Sequence, residues 1–176
     1  MTIRDIRPRQ TDIPREIDIA ICYGAPKPDG RQLMQLASPS VFPVCSPQLV
    51  SARTDRFETE IFTRFPLLHD KQVSWDRWFA AQSIQKPDHL QNIHFANTSQ
   101  ALTAACLGYG VALSNDFETQ DFIRDGRLIR LTDQSIPEEK DYYLLTPAED
   151  RGSARASLFA DWIIRACRPD HSQPAD

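Results

Sequence analysis

The sequence predicts an α/β protein, and three observations carry that prediction. Residues 17–24 form a short isoleucine-rich run closed by a glycine, the pattern of a buried parallel strand. Residues 93–113, IHFANTSQALTAACLGYGVAL, read as strand, helix and strand. Elsewhere short extended runs alternate with helical periodicity, and no repeat of solenoid length interrupts them.

Taken in order, residues 2–6 suit the tail of a strand. Residues 12–16 suit one helical turn, with Asp12 as its cap and Pro14 inside its start. The loop 25–30, with Pro26 and Pro28, follows the isoleucine-rich strand. Residues 33–37 and 41–45 are two further extended runs. Pro43 confines the second to an edge, a bulge or a crossing point, because proline donates nothing to a ladder. Ser46-Pro47 opens a helical turn, residues 57–65 suit a helix, and residues 66–69 a short strand. Ser74 caps the next helix, whose Trp75, Trp78 and Phe79 share one face. Such a face either stacks a sugar or base or, more commonly, fills a core.

The organising stretch comes next. Asn97-Thr98-Ser99 offers three residues able to cap a helix. Leu102, Ala105, Cys106 and Tyr109 then recur as one apolar stripe, and Gly108 and Gly110 suit its left-handed end. A helix starting at the mouth of a parallel sheet collects free N–H groups and the positive end of its dipole beside a strand's carboxyl end. The three residues therefore either cap the helix alone, as most caps do, or line a ligand site.

Beyond it, Asn115 or Asp116 caps a helix containing Phe117 and Phe122 and stopped by Gly126. Residues 128–131 and 142–145 suit strands, separated by a charged turn around Glu138-Glu139. Ser153 caps a last helix with Leu158, Phe159, Trp162 and Ile163 as its apolar face. The tail from Pro169 is polar and reads as frayed.

The 176 residues are enough for one domain or two small lobes. A net charge of −4 argues against these residues alone gripping nucleic acid, which needs a basic face. No apolar run reaches bilayer-spanning length, and the first ten residues lack the apolar core of a signal peptide. Cys22, Cys45, Cys106 and Cys167 are widely spaced and read as buried free thiols in a reducing compartment, placing the protein in the cytoplasm.

The residues show no sign of catalysis. Gly108-Tyr109-Gly110 closes a helix instead of opening one, so it is no phosphate loop. His69-Asp70 lacks a nucleophile elbow, and neighbours on a strand face opposite ways. His89 and His94 lack a carboxylate partner at metal-site spacing. The expectation is therefore no enzyme, no catalytic or metal-ligating residue and no cofactor.

Four segments in fixed order carry a resemblance. They are EIDIAICYG (residues 16–24), VFPVCSPQL (41–49), FPLLHD with WDRWFAA (65–70 and 75–81) and FANTSQALTAACLGYGVAL (95–113). DGRLIRL (125–131) and DYYLLTPAE (141–149) also fit. Together they resemble the effector-binding domain of LysR-type transcriptional regulators, and most of all the branch containing the glycine-cleavage activator. The resemblance implies a two-lobed fold like the type II periplasmic binding proteins, without the first strand and helix of its first lobe. Lobe I would comprise residues 1–42 and 147–176 and lobe II residues 43–146. Crossings near 41–45 and 143–147 would place Phe42, Pro43, Thr146 and Pro147 at the hinge. It assigns Asn97, Thr98 and Ser99 to a ligand-facing helix start, and Tyr23 and Gly24 to the opposite wall of a cleft.

Full members of the family also carry a winged helix-turn-helix and a linker helix, which these residues do not contain. The resemblance thus implies an effector-sensing and oligomerising portion of a bacterial regulator. It would bind a small anionic metabolite, pair as a homodimer or homotetramer, and reach DNA only through a separate N-terminal domain, with no membrane partner. The alternatives are a transporter's solute-binding protein, which calls for an export signal, and a truncated, DNA-free modulator of a full-length relative.

Overall fold

A computed structural model describes residues 13–14, 16–50, 61–70, 74–148 and 153–167. The strand expected at 2–6, the first half of the helix at 57–65 and the polar tail lie outside these; of the turn at 12–16, residues 13, 14 and 16 are described, and the Ile17 N–H donates to the Pro14 carbonyl at 3.2 Å. In chain order the elements are β1 (Ala20–Tyr23), β2 (Gln32–Ala37), β3 (Ser40–Cys45), α1 (Ile61–Arg64), β4 (Leu67–His69), α2 (Trp75–Ala81), β5 (Asn92–His94), α3 (Thr98–Cys106), β6 (Val111–Asn115), α4 (Asp116–Arg124), β7 (Ile129–Arg130), β8 (Ile136–Pro137), β9 (Tyr142–Thr146) and α5 (Ala154–Ala166). They divide into two units, one of Met1–Ser38 with Lys140–Asp176 and one of Pro39–Glu139.

The first unit holds a three-stranded sheet, β1-β9-β2, antiparallel throughout. Side chains alternate along β9. Leu144 packs with Ala160 and Ile163 of α5, while Leu145 packs with Ile13 and Ala20 on the other face. The isoleucine-rich run is thus not the buried parallel strand its composition suggests. Among the described residues it supplies an antiparallel edge strand, and Ile21 is 48% exposed. Among these residues α5 packs on Leu144 of the central strand and not on Ile21 beside it. The reading of α5 itself also changes. Its buried positions are Ala156, Ala160 and Ile163, small residues that let the helix sit close to the sheet, whereas Leu158 and Trp162 are 68% and 56% exposed.

The second unit is a mixed sheet in the order β5-β4-β6-β3-β7, with β8 also paired to β3. Here β4 runs parallel to β5 and β6, and β3 runs antiparallel to β6, β7 and β8. The strands β5 and β6 flanking α3 in sequence are therefore parallel but not adjacent, since β4 lies between them. Both faces of this sheet are covered. One packs Leu67, Val111 and Leu113 against Phe62, Trp75, Trp78 and Phe79. The other packs Leu68, Ala112 and Val44 against Ala101, Leu102 and Ala105 of α3. The Trp75-Trp78-Phe79 face is core: all three side chains are buried and surround Phe62 edge-on at 5.2–5.5 Å.

Pro43 stands inside β3, opposite Leu113 of β6. Its carbonyl accepts from the Leu131 N–H at 3.0 Å, so its nitrogen faces that same side of the strand. There β8 pairs only as far as Val41 and β7 only from Val44. The ladder lapses where proline has nothing to donate. Phe42 and Pro43 lie in β3 of the second unit's sheet. Thr146 ends β9 in the first unit, with Pro147 just beyond it. The bounds of the two units fall at Ser38–Pro39 and Glu139–Lys140.

Candidate functional site

The corner between β5 and α3 is built from the residues the sequence singles out. Asn97 is extended (φ −154°, ψ 166°), and its Oδ1 accepts from the Gln100 N–H at 3.0 Å. Gln100 reaches back, its Oε1 accepting from the Ala96 N–H at 3.2 Å. This reciprocal pair is a variant of the capping box and fixes where the helix starts. Asn97 therefore has a structural role that needs no ligand.

Thr98 is different. It is only 6% exposed, and its hydroxyl is buried without a hydrogen-bond partner among the described residues. A buried hydroxyl left unpaired costs about 1–3 kcal/mol, so such atoms are uncommon and call for an account. Ser99 beside it is exposed. The N–H groups of the first helical turn have no acceptor within the helix and carry the positive end of its dipole. The corner thus combines two exposed polar residues, a buried hydroxyl and oriented amides. No carboxylate lies in the first turn of α3 to neutralise it.

The far end of α3 explains both of its glycines. Gly108 (φ +79°) donates to the Ala105 carbonyl at 3.0 Å while Tyr109 donates to Ala104 at 3.1 Å, a Schellman ending. Gly110 serves a close approach instead. A Cβ there would stand 2.2 Å from the Pro66 carbonyl oxygen. Because the helix ends at Cys106 and the chain turns at Gly108, Tyr109 leaves the apolar stripe and is exposed.

In the first unit, Tyr23 ends β1 and Gly24 follows it. The Tyr23 ring lies 5.3 Å from Tyr142 and 5.7 Å from the Lys140 ammonium. Gly24 takes φ +88° and donates to the Asp141 carbonyl at 2.8 Å. This turn is explained by its own contacts.

Two features escape a reading by spacing. Glu138, expected in a solvated turn, is half-buried and accepts from Asn115 Nδ2 at 2.6 Å, while Asn115 Oδ1 caps α4 by accepting from the Glu118 N–H at 2.9 Å. His69 and His94 are register partners on β4 and β5, with rings stacked at 4.6 Å. Of the cysteines, only Cys45 is fully buried, and burial pushes its thiol up to about 12. Cys22, Cys106 and Cys167 are half-buried, each raised by the same cause. Among the described residues no three His, Cys, Asp or Glu side chains converge as metal ligands, and no helix is long and apolar enough to cross a membrane.

The family model described as the LysR substrate binding domain matches residues 12–168. The glycine cleavage system transcriptional activator of Escherichia coli K12 is 27% identical over 158 residues, covering 89% of this chain and 52% of that protein. The HTH-type transcriptional regulator PerR of the same organism is 26% identical over 152 residues, covering 85% and 50%. The chain therefore spans about half the length of the curated relatives it matches. Among solved structures, the AmpR effector binding domain of Citrobacter freundii superposes with a TM-score of 0.64 at 20% identity, covering 86% of this chain and 74% of that one. The effector domain of AmpR from Pseudomonas aeruginosa gives 0.63 at 22% identity, covering 92% and 78%. At these identities the likeness to solved structures is one of fold, the two-lobed arrangement of effector-binding domains.

Proposed function

The chain belongs to the LysR substrate-binding domain family, and from that premise we propose that it senses a small anionic effector for a bacterial transcription regulator. The effector's acidic group would sit at the β5–α3 corner, accepting from the Thr98 hydroxyl and from the amides of the first helical turn. The observation carrying this reading is the Thr98 hydroxyl, buried and unpaired among the described residues, at a helix N-terminus with no acidic residue in its first turn. Ser99 supplies a second hydroxyl at the rim, and Asn97 holds the corner in shape.

Within the first unit, Tyr23 and Gly24 are proposed as effector contacts from their place at the end of β1. Their local geometry is accounted for by Tyr142, Lys140 and Asp141, so the reading rests on Thr98. Occupancy can change the protein's output only through unequal affinity for two arrangements of the whole regulator. We propose that the regulator is a cytoplasmic homodimer or homotetramer without enzymatic activity, and that DNA is contacted by residues outside 12–168.

The test is calorimetric titration with a panel of small carboxylates and amino acids, comparing the wild type with a Thr98→Ala, Ser99→Ala variant. A panel member that binds the wild type is expected to bind the variant at least about tenfold more weakly, the loss of a hydrogen bond to a charged group. Equal binding by the two proteins rejects the site.

A further inference from the structure

The remaining feature with chemistry of its own is the histidine pair on the edge of the second unit's sheet. β4 and β5 run parallel, and His69 stands opposite His94 in their register. Register partners on neighbouring strands point to the same face, about 4.8 Å apart. The two rings accordingly lie 4.6 Å apart with planes inclined by 29°. His94 is exposed and, among the described residues, β5 is the sheet edge, so the pair is open to solvent on one side.

A third residue fixes the proton on one ring. Asn92 donates through Nδ2 to the Leu90 carbonyl at 3.2 Å, which turns its Oδ1 towards His69. That oxygen lies 2.7 Å from His69 Nε2. A carboxamide oxygen only accepts, so Nε2 is the donor of this pair, and in the neutral ring the lone pair is then on Nδ1. Holding one ring nitrogen as a donor so that the other can coordinate is how proteins orient a metal-ligating histidine.

We propose that His69 and His94 form an open two-imidazole site for a divalent transition cation of the nickel, copper or zinc class. Imidazole suits these ions, whereas calcium and magnesium take oxygen donors. Metal–nitrogen bonds of about 2.0–2.1 Å place two neighbouring ligand nitrogens about 3 Å apart. The exposed His94 reaches that distance by turning its own ring out of the stack, while His69 stays on Asn92. With no third protein ligand converging among the described residues, solvent completes the coordination. The site is then an exchangeable one rather than a folding staple. His69 acts through Nδ1, His94 supplies the accessible second nitrogen, and Asn92 is a positioning residue. The proposal is independent of the effector reading, because it uses neither Asn97, Thr98 nor Ser99.

The test is titration of the untagged protein with nickel alone, by calorimetry and by imidazole nitrogen NMR. The wild type is expected to bind one nickel ion, with the His69 Nδ1 and His94 resonances broadening first. His94→Ala, an exposed change that leaves the core intact, should weaken that binding at least tenfold. Asn92→Ala should weaken it less, and His89→Ala not at all. Equal nickel affinity in the wild type and His94→Ala, or an equal loss in His89→Ala, overturns the proposal.

Discussion

Replacing Thr98 with valine separates a structural hydroxyl from a ligand-binding one. The two side chains have nearly the same shape and the same branching at Cβ, so helix propensity and packing change little. What changes is one hydroxyl, buried and unpaired among the described residues. Were it satisfied within the fold, its loss would cost about 1 kcal/mol. Since it is not, the substitution removes a desolvation penalty of about 1–3 kcal/mol, and the free protein should be as stable as the wild type or more so. For a chain of this length each kcal/mol shifts the Tm by roughly 2–4 °C. Effector affinity should move the other way. A hydrogen bond to a charged group contributes about 1.5–3 kcal/mol, so Kd should rise roughly 10- to 150-fold. Thr98→Ser keeps the hydroxyl and loses only a methyl, and should reverse the pattern, with lower stability and retained binding. The assay is thermal melting without effector, paired with calorimetric titration of whichever panel carboxylate binds. A valine variant that melts several degrees lower, or that binds as tightly as the wild type, refutes the reasoning.

Other consequences follow from particular contacts. Gly110→Ala places a Cβ 2.2 Å from the Pro66 oxygen, a backbone atom in the β4–β6 ladder, and should destabilise the second unit by about 2–4 kcal/mol in chemical unfolding. Asn115→Ala removes both the α4 cap and the Glu138 contact, and should cost more than the roughly 1 kcal/mol of a cap alone; a double-mutant cycle with Glu138→Gln should give a non-zero coupling. The Cys45 thiol, raised from 9.0 to about 12, keeps its proton in the fold above the pH at which the unfolded chain releases it. Stability should therefore fall between about pH 9 and 12, by up to about 1.4 kcal/mol per pH unit from this group. Cys45→Ala should flatten that slope, and an unchanged slope would count against the burial argument.

Much of the second unit was legible from residue order because its signals are local. The Asn97 cap, the Ser74 and Asn115 helix starts and the Gly126 stop depend on a few neighbouring residues. Covering both faces of the sheet also makes its core strands uniformly apolar, as Val111, Ala112 and Leu113 are. The first unit was harder to read. An isoleucine-rich run cannot reveal that its only described neighbour is antiparallel, and the apolar face of α5 looks the same whether or not a sheet is wide enough to cover it. Pairings between residues far apart in sequence escaped altogether. Asn115 and Glu138 are separated by 23 positions and meet because β8 returns alongside β3. His69 and His94 meet only through the β4–β5 register. At the candidate site, residue types pointed to the corner, but only packing distinguishes Thr98, whose hydroxyl is buried and unpaired, from Asn97, whose side chain the cap already engages.

The most direct measurement is a structure of the protein with a bound effector from the carboxylate panel. The account predicts an acidic group within hydrogen-bonding distance of Thr98 Oγ1 and the first-turn amides of α3. A bound carboxylate elsewhere, with the Thr98 hydroxyl still buried and unengaged, would contradict it.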